Sequence, residues 1–222
     1  MTIHDFDKIW CLSSLDKERL RSSKEEFNRL GWNVEYYYNP INPVIKSCDK
    51  TPFHHKFYTK LTNTSCSDDI YNAVASCFIG HFNIIKISYE LGFDKVLICE
   101  DDIKLIDNID INSVFNQIPD NFDTLNFYHR FAGKTCTLPI YARQQDFWRK
   151  VEVPTDYTCL AMYAISRKFM EWYLQYYNTR CGVSDKFFKD IDVSKYNCYI
   201  NNYQVYKEQR HYSSICKKNR PW

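Results

Sequence analysis

The sequence predicts an α/β fold in which a mixed sheet is flanked by helices, and three observations support this. Short apolar runs rich in Val and Ile, bounded by polar turns, indicate buried strands. Segments with apolar residues on one helical face stand between these runs. The clearest of those helices leads directly into an apolar strand, which is half of a β-α-β unit. Strands that alternate with helices are typical of a mixed α/β sheet.

The N-terminal part of the chain predicts a strand, a helix and a second strand. Residues 8–12 are expected to form the first strand and residues 33–38 the second. The helix between them is expected to run to Leu30 and to end at Gly31, because glycine commonly terminates helices. Three polar residues are available to cap the start of this helix: Ser13, Ser14 and Asp16.

A long irregular segment, residues 39–67, follows and contains three prolines. Loops of that length are usually functional lids or disordered. Asp68 and Asp69 then cap a helix whose apolar residues recur at i, i+3, i+4 and i+7 and which ends at Gly92. The remaining predictions are a helix over 111–117, a strand over 122–127, a strand over 158–165, a helix over 167–177 capped by Ser166, a strand over 196–200 and a basic polar tail over 207–222.

Length and charge narrow the functional classes. A chain of 222 residues suits a single α/β domain spanning residues 1–222. The net charge of +2 argues against a dedicated nucleic-acid-binding protein, which would carry a strongly basic surface. Residues 1–10 lack the features of a signal peptide, and no apolar run is long enough to span a membrane.

The ten cysteines are scattered, and none shows the C-x-x-C spacing typical of zinc sites. Several lie within apolar strands or helices, where cysteine behaves as a small hydrophobic residue. We therefore expect reduced thiols and a reducing, cytoplasmic compartment.

The most informative segment is an apolar run at 96–99 that stops at three consecutive carboxylates, Glu100, Asp101 and Asp102. In α/β proteins the carboxyl ends of buried strands face the ligand crevice. Three acids at such a place repel each other unless a cation neutralises them, and a divalent cation with oxygen ligands is the simplest such partner. Glu100 and Asp102 would lie on the same side of an extended strand. The alternative interpretation is a solvated acidic turn.

Several segments also match, in order along the chain, the motifs of a known family. They are 9–12 with Arg19 and Arg21, 30–32, 76–81, 99–103, 122–125, 161–168, 183–185 and 209–215. In these segments the chain resembles glycosyltransferase family 25, which includes bacterial lipopolysaccharide-type galactosyltransferases, collagen galactosyltransferases and giant-virus enzymes. A composition rich in Asn, Lys, Tyr and Ile is compatible with a bacterial or large-virus origin.

The resemblance implies a GT-A-like fold, which is a Rossmann-like mixed sheet that binds a sugar nucleotide and a divalent metal. It implies transfer of a hexose, most often galactose from UDP-galactose, with inversion, to a hydroxyl of a glycan or glycoprotein acceptor. Mn²⁺, or Mg²⁺ in its place, would be bound by Asp102 and Glu100. His211 would complete this metal site, although an exposed histidine in the tail is the simpler interpretation.

The same resemblance places the donor nucleotide near Leu12, Ser13 and Arg19, although Arg19 is also interpretable as an exposed residue of its helix. Glu100 or Asp101 would face the ribose or sugar hydroxyls.

An inverting transferase needs a carboxylate that takes the proton of the acceptor hydroxyl. Asp185 is the first candidate for this base and Asp156 the second, although Asp185 is equally interpretable as a helix N-cap.

Two other functional classes remain open. A non-catalytic module of the same fold would bind a nucleotide sugar or glycan without turnover. A nucleotidyl- or phosphoryl-transfer enzyme would also use paired acids, but the five glycines include no P-loop motif. The basic tail is interpretable as a solvated segment, a diphosphate clamp or a contact with a membrane surface.

Overall fold

The computed structural model describes residues 1–14, 16–39, 68–106, 109–127, 130–131, 134–135, 147–152, 161–178, 190–202, 205–208, 212–213 and 218–219. Over these residues the chain forms a seven-stranded mixed sheet with helices packed on both faces, together with three two-stranded sheets. The predicted α/β class is therefore confirmed. None of the helices in the described part of the chain is long and apolar enough to cross a bilayer.

The helices are α1 (Lys17–Leu30), α2 (Asp68–Glu90), α3 (Ile111–Asn116) and α4 (Arg167–Tyr177), preceded by a 3-10 turn at Ile3–Asp5. The strands are β1 (Lys8–Ser13), β2 (Val34–Tyr38), β3 (Lys95–Glu100), β4 (Ile103–Leu105), β5 (Thr124–Asn126), β6 (Arg130–Phe131), β7 (Lys134–Thr135), β8 (Trp148–Lys150), β9 (Met162–Ser166), β10 (Cys198–Asn201), β11 (Tyr206–Glu208), β12 (Tyr212–Ser213) and β13 (Lys218–Asn219).

The strand order of the large sheet is β2-β1-β3-β9-β5-β10-β8. β1 runs parallel to both of its neighbours, β2 and β3, whereas β9 is antiparallel to β3 and β5. The chain therefore leaves β1 toward one side for β2 and returns to the other side for β3. Such a reversal of strand order opens a crevice at the carboxyl ends of the two strands, where α/β proteins bind their ligands.

The two connecting helices cover opposite faces of the sheet. Phe27 of α1 packs with Cys11 and Leu97, whereas Ile84 of α2 packs with Trp10. Successive residues of a strand point to opposite faces, so each of β1 and β3 contributes to both cores. As a result, the residues that end β3 also divide between the α1 face and the α2 face.

The helix boundaries follow from their caps. The Asp16 carboxylate accepts hydrogen bonds from the backbone N–H groups of Glu18 and Arg19 and so caps α1. Gly31 ends this helix with a φ of 68°, a left-handed conformation that favours glycine. Ser166 caps α4 by accepting a hydrogen bond from the backbone N–H of Phe169. The predicted caps of these two helices are confirmed.

The structure differs from the expected tail at residues 206–208, which form β11 and pair with β4. Pairing between segments a hundred residues apart leaves no local signal in either segment, and Lys207 and Glu208 made this stretch look solvated. The predicted irregular segment 39–67 lies outside the described residues except for Asn39.

Gly80 lets α2 approach the ends of β1 and β2 closely. A Cβ built on Gly80 would lie 2.1 Å from Asn39 Oδ1 and 2.7 Å from Leu12 Cδ1, closer than real Cβ atoms come to other atoms. Asn39 is buried, and its backbone N–H donates to the carbonyl of Ser13 over 3.0 Å. A side chain at position 80 would therefore push against the residues that end both strands.

We expect Gly80→Ala to lower the free energy of unfolding by about 1 kcal/mol. Overpacking costs about 2 kcal/mol, and the better helix propensity of alanine returns about 1 kcal/mol of this. Urea denaturation measures the change. Adding Asn39→Ala should remove the closest of these contacts and leave the one with Leu12 Cδ1, so the loss caused by Gly80→Ala should be smaller in that background. Equal losses in both backgrounds would contradict this account.

The four cysteines whose side chains are described are reduced thiols: Cys11, Cys77, Cys99 and Cys198. Burial raises the thiol pKa of Cys11 and Cys99 well above the ordinary value. Burial likewise raises the pKa of Cys198 to about 12. Thiolates are the reactive form, so these three thiols should be inert in the folded protein.

We expect iodoacetamide at pH 8 to modify the partly exposed Cys77 faster than Cys11, Cys99 and Cys198 in the folded protein, as measured by peptide mass spectrometry. Denatured protein, the control, should lose this order. Rapid labelling of Cys198 in the folded protein would contradict the predicted protection.

The raised thiol pKa values also predict how stability depends on pH. Above a pH of about 8.5 the unfolded chain releases thiol protons that the folded chain keeps, so the free energy of unfolding should fall as the pH rises toward 12.

Candidate functional site at the ends of β1 and β3

The three carboxylates that follow β3 do not act as one cluster. Glu100 is the last residue of β3, and the chain turns at Asp101 and Asp102 before β4 begins. Strand alternation directs Glu100 to the α2 face and Asp101 to the α1 face. The turn then brings Asp102 back toward the same partner as Asp101, so the acids divide between two environments.

Asp101 is buried and hydrogen-bonded, with only 1% of its side chain exposed. Its carboxylate accepts hydrogen bonds from Ser13 Oγ (3.0 Å), the Ser14 backbone N–H (2.8 Å) and Ser14 Oγ (3.1 Å). The Asp101 backbone N–H donates to the carbonyl of Leu12 over 3.1 Å. These contacts fasten the turn after β3 to the end of β1.

Arg19, in the first turn of α1, supplies the positive charge of the site. Its Nη2 lies 2.5 Å from Asp101 Oδ1 and 3.0 Å from Asp102 Oδ2. Burial acts to lower the pKa of this guanidinium, but attraction to Asp102 and Asp101 outweighs burial, so the pKa of Arg19 is raised above its ordinary value. Arg19 thus supplies part of the positive charge that the three carboxylates require.

Glu100 meets a different set of groups on the α2 face. Glu100 Oε1 lies 3.3 Å from His81 Nε2 and 3.8 Å from Cys77 Sγ. His81 Nδ1 lies 2.9 Å from the hydroxyl of Tyr163, a residue of β9. The His81 side chain is fully buried, as its position on the apolar face of α2 indicates.

The expected pairing of Glu100 with Asp102 on one side does not occur, because the backbone turns after Glu100 instead of remaining extended. Leu12 and Ser13 do lie at the crevice, next to Asp101. Arg19 also lies there and is largely buried rather than exposed on its helix. Three further candidates fall outside the described residues and remain predictions: Asp156, Asp185 and His211.

The approach of Cys77, His81 and Glu100 to one another was not predicted as a group. A local signal existed, since Cys77 and His81 are four residues apart in a predicted helix and therefore share a face. Tyr163 gave no signal, because its place beside His81 depends on the pairing of β9 with β3.

Within the acid run, Asp102 and Glu100 are the two carboxylates that could offer oxygen ligands to a hard divalent cation such as Mn²⁺, and they lie in different environments. These two side chains are 15% and 26% exposed, whereas Asp101 is enclosed by its partners. Carboxylate oxygens suit Mn²⁺ and Mg²⁺. Such an ion would share Asp102 with Arg19 and Glu100 with His81.

No protein-family model matches the chain, and no curated protein matches it. One solved structure that resembles it is A197 from STIV, with a TM-score of 0.44 and 13% sequence identity over 87% of this chain and 80% of that chain. Another is a glycosyltransferase involved in the glycosylation of the major capsid of PBCV-1, with a TM-score of 0.35 and 15% identity over 78% of this chain and 68% of that chain. Membership of glycosyltransferase family 25 therefore remains a prediction from the sequence motifs.

We expect Arg19→Gln to lower the free energy of unfolding by about 3 kcal/mol, because it leaves the buried Asp101 without its cation. Arg21→Gln is the matched control. Arg21 is exposed on the same helix, and its replacement should change the free energy of unfolding by less than about 0.5 kcal/mol. Urea denaturation at neutral pH measures both variants. Similar losses for the two arginines would show that the Arg19 pair does not stabilise the fold.

Proposed function

We propose that the chain is a glycosyltransferase that moves a hexose from a UDP-sugar to a hydroxyl of a glycan or glycoprotein. Galactose, the sugar that the family resemblance implies, is the proposed hexose. The observation that carries this proposal is the placement of Arg19 and the acid run at the point where the strand order reverses. Ligands of α/β proteins bind at this edge. The ordered sequence motifs supply the choice of reaction.

The diphosphate of the donor is proposed to bind between the end of β1 and the first turn of α1. Arg19 Nε is a buried donor that has no hydrogen-bond partner among the described residues. Arginine and the N–H groups at a helix N-terminus are both common phosphate ligands. Leu12 and Ser13 line the same edge, and Asp101 holds Ser13 in place. These groups would orient the donor rather than take part in bond breaking.

Departure of the nucleotide leaves negative charge on the diphosphate, which must be stabilised. Mn²⁺ bound by Asp102 and Glu100, with His211 as a third proposed ligand, would supply Lewis-acid stabilisation of that charge. Arg19 contributes a fixed positive charge at the same edge of the sheet. Of the two acids expected to face the ribose or sugar hydroxyls, Glu100 retains exposure and is proposed for this contact, whereas Asp101 is enclosed by its partners.

The acceptor hydroxyl must lose a proton as it attacks the sugar. We assign this role to a carboxylate, first to Asp185 and then to Asp156, since an inverting transferase needs one base on the acceptor side. The base would remove the proton while the new glycosidic bond forms and the bond to the nucleotide breaks.

A non-catalytic binding module is the second candidate function. It is favoured by one observation, namely that Arg19 already pairs with both Asp101 and Asp102, as in a purely structural acid cluster. A module of this kind would bind a nucleotide sugar without releasing the nucleotide.

We expect the purified protein to release UDP from one member of a panel of UDP- and GDP-sugars in the presence of Mn²⁺, and to release none with EDTA. Asp102→Asn should lower this rate by at least about a hundredfold, because it weakens binding of the metal ion proposed to stabilise the leaving group. Asp110→Asn is the matched control, since Asp110 is an exposed cap of α3 and asparagine also caps helices. Released nucleotide is measured by coupled assay.

The outcomes separate the two functions. Binding of UDP-sugar without release, unchanged by added acceptors, would support the binding module. Release that Asp102→Asn does not alter would contradict the metal assignment, and full activity in both Asp185→Asn and Asp156→Asn would contradict the choice of base.

A further inference from the structure

We infer that Cys77, His81 and Glu100 form a site for a borderline divalent transition metal of the Zn²⁺ and Co²⁺ class. This site lies on the α2 face of the sheet; it differs from the oxygen-ligand site proposed for the donor in Cys77 and His81, while Glu100 is proposed for both. The inference does not depend on transferase activity, because it follows from three side chains and their surroundings alone.

Two elements bring the three ligands together. Cys77 and His81 are separated by one turn of α2, so their side chains project from the same face of the helix. Glu100 ends β3 and points to that helix, because its neighbours two and four residues back in the strand also face α2. The sulfur, the nitrogen and a carboxylate oxygen all lie within 4.8 Å of one another.

The separations of the ligand atoms agree with a tetrahedral ion. Zinc bond lengths combined with tetrahedral angles place a nitrogen and an oxygen ligand about 3.4 Å apart, and a sulfur and an oxygen about 3.6 Å apart. His81 Nε2 lies 3.3 Å from Glu100 Oε1, and Cys77 Sγ lies 3.8 Å from the same oxygen. Binding therefore requires little change in these two separations, and Cys77 Sγ and the His81 nitrogen lie within 4.8 Å of each other.

The histidine is already oriented as a ligand. His81 Nε2 faces the other two donors, whereas Nδ1 contacts the Tyr163 hydroxyl over 2.9 Å. A hydrogen bond at the second ring nitrogen is the usual feature that fixes the tautomer and the ring of a metal-bound histidine. Because His81 is fully buried, packing also prevents the ring from rotating away.

The donor set selects the class of metal. One sulfur, one imidazole and one carboxylate suit Zn²⁺ or Co²⁺, whereas Mn²⁺ and Mg²⁺ prefer oxygen ligands. A Cys77 thiolate and the Glu100 carboxylate would together balance the two positive charges of the ion. Both side chains retain partial exposure, so a fourth coordination position would be open toward solvent.

The test is titration of metal-free protein with CoCl₂ under reducing conditions, because Co²⁺ reports thiolate ligation by a charge-transfer band. We expect saturable binding with one such band, and displacement of Co²⁺ by Zn²⁺. Cys77→Ser should abolish the band. Cys198→Ala, a buried cysteine far from the cluster in sequence, is the matched control and should retain it.

Tyr163→Phe tests the orienting role of the hydroxyl and should weaken Co²⁺ binding by about 10- to 100-fold while the band remains. Far-ultraviolet circular dichroism of each variant verifies that it is folded. A charge-transfer band that survives Cys77→Ser, or the absence of any band in the native protein, would overturn the inference. The Co²⁺ charge-transfer band does not depend on release of UDP. Failure of the metal-site proposal can therefore be distinguished from failure of the proposed transferase activity.

Discussion

The ion pair between Arg19 and Asp101 is the interaction on which the crevice depends. It joins the first turn of α1 to the turn after β3, while Ser13 and Ser14 join the same carboxylate to the end of β1. A buried carboxylate without such partners would be strongly destabilising. At its other side α1 holds β4, because the Glu26 carboxylate accepts a hydrogen bond from the Leu105 backbone N–H over 3.0 Å. The helix therefore holds both the acidic turn and the end of the strand that follows it.

The acid run also shows how one strand and the turn after it present acids to two faces of the sheet. Side chains alternate along β3, so its final residues are presented to opposite faces of the sheet. Asp101 neutralises a cation of α1, and Glu100 contacts His81 and Cys77 of α2. Each face thus has its own balance of charge, with a fixed guanidinium on one side and an imidazole and a thiol on the other.

The sequence predicted the features that depend on interactions between neighbouring residues. The apolar run before Glu100, the capping role of Asp16 and the stop at Gly31 all depend on neighbours within a few residues, and each is confirmed. The partners of the acids were not predictable in this way. Whether Asp102 stays beside Glu100 or turns toward Arg19 depends on the backbone after β3, and the pairing of β4 with β11 depends on residues a hundred positions away.

The pairing of β4 with β11 brings a late segment of the chain beside the acidic turn. Glu208 lies opposite Ile103, the residue after Asp102, so the covalent chain emerges from β11 next to the acidic turn. Tyr206, Lys207 and Glu208 lie opposite Leu105, Lys104 and Ile103, so β11 follows β4 over its whole length. Residues separated by a hundred positions along the chain are therefore neighbours, and β11 supports the strand that follows the acidic turn without supplying a candidate site residue.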